Sequence, residues 1–163
     1  MKPQRYPSSI IKVGAVLYKA FGWVADEGKC HVDVDVDEWH VRSIQNRTVS
    51  KYFGTKKVVI SLVQKLDDIT WQKGKWLTNV PVHYRQKFYE NEPLPNGFYT
   101  TQNMALRYAL ESTYMSIKWY EEEKAAGLWS AEHEEEYNGE LKLVKIIKSR
   151  ITRLKNIKSG GKV

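Results

Sequence analysis

The chain has 163 residues and a net charge of +7, with 6 Trp, 10 Tyr, 4 Phe and one cysteine. That length supports a one-domain core without staples, and a lone Cys30 excludes both an internal disulfide and any zinc motif built on cysteine spacing. No apolar run is long enough to span a bilayer, so the composition points to a single-domain cytoplasmic protein with no membrane partner.

The first half reads as sheet. Apolar, β-branched and aromatic stretches fall at 10–24, 30–44 and 57–63, separated by Asp26-Glu27-Gly28 and by the polar run Gln45 to Lys56, where Gly54 supplies a turn. The segment SIIKVGAVLYKAFGWVA carries two lysines and no convincing cleavage site, and reads as a core strand rather than a leader. The second stretch, HVDVDVDEWHVRS, places His31, Asp33, Asp35 and Asp37 on one strand face and Val32, Val34 and Val36 on the other. Apolar parity then flips to Trp39 and Val41, which predicts a two-residue loop or a bulge at Asp37-Glu38. A tight hairpin there would pair Asp35 with His40 and Asp33 with Arg42 on a half-solvated face. A divalent-metal site from His31, Asp33, Asp35 and His40 is the alternative, against which Arg42 in the same patch argues; no cofactor is expected.

The middle, Asp67 to Asn96, reads as loops rich in charged aromatics, closed by the breaker ENEPLPNG. Here Lys73, Lys75, Trp76, Tyr84, Arg85 and Lys87 interleave cations with aromatic planes, a combination suited to unpaired nucleic acid.

From Thr101 the period becomes helical. Leu106, Leu110, Thr113, Ile117 and Tyr120 form one seam; after the Gly127 break, Ser130 is placed to cap a second helix with the seam Leu141, Val144, Ile147, Ile151 and Leu154. Charge is segregated along this hairpin. Residues 139–163 hold eight Lys or Arg against Glu140, whereas 111–138 hold eight acids against two lysines. Lys142, Lys145, Lys148, Arg150, Arg153 and Lys155 therefore make a basic helix, and Glu121, Glu122, Glu123, Glu134 and Glu135 surround Leu128 and Trp129 at an acidic tip.

No GxSxG, Walker or GxGxxG pattern is present. The stretch LPNGFYTTQNMALRYAL resembles the strand-then-helix part of some ADP-ribosyltransferase domains. Taken with WHVRS earlier and EHEEE later, that resemblance implies a His-Tyr-Glu set of His40, Tyr99 and Glu134, although the acidic motif belongs on a strand and here opens a helix.

The expected architecture is α+β, an antiparallel β-sheet from residues 1–100 packed with an antiparallel αα-hairpin over 101–157, followed by a flexible tail at 158–163. The expected function is non-enzymatic binding of nucleic acid or a nucleoprotein complex through the basic helix and the aromatic middle. The alternative is a protein-binding inhibitor or adaptor of the kind mobile elements encode against a host nuclease or polymerase, acting through the acidic tip. An ADP-ribosyltransferase-like enzyme is the third reading.

Overall fold

The structure is a computed structural model that describes residues 4, 9–26, 30–50 and 52–160. In chain order it contains β1 (Val16–Asp26), β2 (Cys30–Thr48), β3 (Lys56–Gln64), β4 (Trp71–Gln72), β5 (Lys75–Trp76), β6 (Arg85–Tyr89), β7 (Phe98–Tyr99), α1 (Gln102–Ala125) and α2 (Ala131–Gly160). The architecture is α+β: a five-stranded antiparallel sheet in the order β6-β3-β2-β1-β7, a separate β4-β5 ribbon, and two C-terminal helices that pack together. Among the described residues, 20–36 and 102–160 form one compact unit, and 4–19 and 37–101 form another. Both β1 and β2 contribute residues to each unit.

In the helical unit, α1 buries Ala105, Leu106, Ala109, Thr113 and Ile117. The helix ends in a Schellman motif. Leu128 N–H donates to the Glu123 carbonyl at 3.0 Å and Gly127 N–H to that of Lys124 at 3.2 Å, with Gly127 at φ +78°. Ser130 then caps α2, its Oγ accepting from His133 N–H at 3.2 Å. The α2 seam is Leu143, Val144, Ile147 and Ile151, whereas the expected Leu141 is 38 % exposed. Leu143 takes its place because Gly22 of β1 leaves room: a Cβ on Gly22 would lie 2.2 Å from Leu143 Cδ2. Gly139 makes the reciprocal approach, where a Cβ would meet Val24 Cγ1 at 2.8 Å. The helix continues to Gly160, past the expected end at 157, and the rest of the expected tail, 161–163, lies outside the described residues.

The sheet unit has its own core of Ile11, Leu17, Trp39, Val41, Ile60, Leu62, Phe88, Leu94 and Phe98, with Trp39 edge-on to Phe98 at 5.3 Å. The two-residue loop expected at Asp37-Glu38 does not form: β2 runs through it as one strand of 19 residues. Parity flips because the strand serves a different core at each end. Even-numbered Val34 is buried in the helical unit, and odd-numbered Trp39 and Val41 in the sheet unit. In the pairing of β2 with β3 an irregularity falls between Val41 and Ser43, where Val41 pairs with Leu62 and Ser43 with Ser61, leaving Arg42 as the extra residue of a bulge. Of the turn expected at Asp26-Glu27-Gly28, residues 27 and 28 lie outside the described residues. The region read as loops contains β4, β5 and β6, and Lys73-Gly74, both at positive φ, form the two-residue turn that pairs Trp71 with Trp76.

Candidate functional site

The aspartate stripe is consumed by structure. Asp33 pairs with Arg150 at 2.8 Å, and Asp35 accepts from Trp23 Nε1 at 2.8 Å, while the Trp23 ring also lies 5.5 Å from that of His31. These partners replace the expected cross-strand pairs Asp33–Arg42 and Asp35–His40. His40 instead lies 3.6 Å from the Glu38 carboxylate and edge-on to Trp76 at 5.1 Å; burial pushes its pKa down, against the opposing pull of Glu38. Among the described residues no group of three or more His, Cys, Asp and Glu has the geometry to hold a metal ion.

The sheet unit carries a groove of about 300 Å³ lined by residues of β2, β3, β5 and β6 and of the segment that follows β5. It is built by register. β3 and β6 pair Ser61 with Lys87 and Val63 with Arg85, so two cations stand beside two small or apolar β3 residues. The bulge brings Arg42 of β2 over the Trp76 ring, at 4.6 Å from its centroid. Trp76 is positioned by the β4-β5 ribbon, whose root is fixed by the fully buried Thr70. Its hydroxyl donates to the Gln64 carbonyl at 2.6 Å and accepts from Leu66 N–H at 2.8 Å. Arg47 completes the lining.

The electrostatics of this groove are one-sided. Arg42, Arg47, Arg85 and Lys87 line it, and no carboxylate among the described residues does. Two of the arginines are held by neutral acceptors, Arg47 by Gln45 Oε1 at 2.8 Å from Nε and Arg85 by the Val80 carbonyl, so their orientation is fixed without cancelling their charge. Such a surface can accept phosphate oxygens, and the Arg42 guanidinium, already stacked on Trp76, offers a second plane to a flat ring.

Of the middle residues singled out from the sequence, Trp76, Arg85 and Lys87 belong to this groove; Lys73 is exposed in the turn of the ribbon and Lys75 is exposed at the start of β5, and Tyr84 is half-buried with its ring 4.0 Å from that of His83. The sequence pattern pairs Arg42 with Asp33 and gives Arg47 no role. A signal for both was present, since residues 39–89 contain ten Lys or Arg against only Asp67 and Asp68.

The helical unit holds the other candidates. Lys142, Lys145, Lys148, Arg153 and Lys155 are exposed along α2; Lys148 lies 5.6 Å from the Tyr114 ring centroid, and Arg150 is engaged by Asp33. At the tip, Trp129 is folded back. It donates through Nε1 to Glu134 at 2.8 Å, sits under Lys124 at 4.6 Å and packs near Tyr137 and His133, leaving Leu128, 60 % exposed, as the apolar residue on the surface. Tyr137 reaches Glu121 at 3.4 Å, while Glu122 pairs with Lys118 at 3.5 Å. Glu123 is half-buried and Glu135 is exposed. Behind the tip, Glu132, Glu135, Glu136 and Glu140 line a cavity of about 350 Å³ with Tyr120 and Trp23. Burial, helped by the hydrogen bond to Glu136, pushes the Tyr120 hydroxyl up to about 12; burial and then Glu136 raise Glu140, whose Oε2 is buried without a hydrogen-bond partner.

The three residues of the transferase resemblance are engaged separately: His40 with Glu38 and Trp76, Tyr99 buried in β7 at 1 % exposure, and Glu134 in the first turn of α2 with Trp129. Comparison with protein-family models, with curated proteins and with solved structures finds no match to this chain.

Proposed function

We propose that this protein binds single-stranded nucleic acid in the groove lined by Arg42, Arg47, Arg85, Lys87 and Trp76. The observation that carries the reading is the lining itself: among the described residues, four cations and no carboxylate, one of the cations, Arg42, lying over the Trp76 ring. Cations along a groove neutralise the backbone of a strand, and flat groups stack on its bases. A concave site favours a strand over a duplex, because duplex grooves are read by convex elements inserted into them.

Salt-dependent binding of labelled single-stranded oligonucleotides tests the reading. Neutralising four phosphates on a single strand gives a slope of about −2.8 in log affinity against log salt, or about 50-fold weaker binding at 200 mM than at 50 mM. The double variant Arg85→Glu, Lys87→Glu is expected to reduce that slope by about half or more. An unchanged slope in this variant, with the slope lost instead on reversing Lys145, Lys148 and Arg153, would move the contact to α2. Absence of binding at low salt would remove nucleic acid as the ligand.

A further inference from the structure

The turn between β2 and β3 exposes two adjacent aromatic rings, Tyr52 at 96 % and Phe53 at 87 %. Among the described residues of the turn, Val49 N–H donates to the Thr55 carbonyl at 2.8 Å, Phe53 N–H to Ser50 Oγ at 3.3 Å, and Gly54 takes φ +60°. From Trp39 to Leu66 the sequence has six Lys or Arg and no acid; in space, Glu92 pairs with Lys57 at 2.8 Å. The turn also continues from the groove, because Arg47 lines the groove and pairs in register with Lys57, one step before Thr48 pairs with Lys56. Tyr52 follows Arg47 by five residues, a reach of at most about 17 Å along extended chain.

We infer that this turn is a second contact for the same strand, Tyr52 and Phe53 stacking on unpaired bases that leave the groove past Arg47. The inference rests on the proposed function. Single-stranded nucleic acid suits both features at once, since its phosphates match the excess of cations in the stretch from Trp39 to Leu66 that contains the turn and every base offers a face to an exposed ring.

The test uses the full chain and labelled single-stranded oligonucleotides of about 4 and about 16 nucleotides, the range of single-strand site sizes. In the variant Tyr52→Ala, Phe53→Ala, affinity for the long oligonucleotide is expected to fall at least about fivefold for the loss of base stacking, while the short one and the salt slope stay unchanged. Phe53→Trp, alone, is expected to retain the long-oligonucleotide affinity. Wild-type affinity of the double variant for the long oligonucleotide, or an equal loss at both lengths, overturns the second contact and leaves the groove standing. Failure of the wild type to bind either length overturns both readings. Binding of the wild type to phosphatidylserine vesicles that the double variant loses, with the long oligonucleotide still held, makes the turn a membrane contact and overturns the inference.

Discussion

Gly139→Ala in α2 sets two effects of opposite sign against each other. On an exposed helix face the substitution gains about 1 kcal/mol, because alanine loses less backbone freedom than glycine. Gly139 is buried, and its new Cβ would lie 2.8 Å from Val24 Cγ1 and 3.0 Å from Cγ2. Carbon atoms attract best at about 3.5–4.0 Å, so both methyls are too close, and rotation about the stiff valine χ1 exchanges one methyl for the other. Overpacking of this kind costs about 1–3 kcal/mol. The expected net is a loss of about 1 kcal/mol, read as a lower urea midpoint at unchanged slope. In a Val24→Ala background the clash is gone and the same change is expected to stabilise by about 1 kcal/mol, a coupling of about 2 kcal/mol in a double-mutant cycle. Stabilisation of the otherwise wild-type chain by Gly139→Ala would refute the close approach of α2 to β1.

Gly22→Ala meets Leu143 Cδ2 at 2.2 Å and Cγ at 2.8 Å, and Leu143 is only 3 % exposed, so a loss at the upper end of about 1–3 kcal/mol is expected, relieved by Leu143→Ala in the same chain. Glu140 has its pKa raised by burial, so the folded state holds that proton more tightly than the unfolded chain does, and its charging costs stability as pH rises through the ordinary carboxylate range toward the folded value. Glu140→Gln is therefore expected to raise the melting temperature at pH 7 and to flatten its decline from about pH 4 upward; an unchanged profile would show that Glu140 is solvated. Arg150→Ala is expected to cost no more than about 1 kcal/mol through Asp33, since both side chains are over a third exposed, and a larger coupling to Asp33→Asn would show the pair to be shielded from solvent.

The sequence by itself determined the element types with long periods and the punctuation between them. Helical spacing identified both helices, Ser130 and Gly127 marked where one starts and the other stops, and the three long strands were visible as β-branched and aromatic runs. Those signals are local, written within a turn or two of chain. The short strands β4 to β6 were missed because two to five residues carry too little alternation to detect, although Lys73-Gly74 between two tryptophans was a usable hairpin signal.

Tertiary structure decided the rest. Alternation assigns residues to two faces without saying which face is covered, so the parity flip at residues 37–38 reads as a loop or a bulge, whereas one continuous strand contributes Val34 to one core and Trp39 and Val41 to another. Helical spacing allowed Leu141 in the seam, and the missing side chain of Gly22 selected Leu143. The groove depends most heavily on pairing across the sheet: Arg42 and Arg47 on β2 meet Arg85 and Lys87 on β6 only through the register of β3 and the bulge at Arg42. A one-residue slip of that register would send each cation to the opposite face, which is why charge counting found the basic segment's composition and folding alone set its geometry.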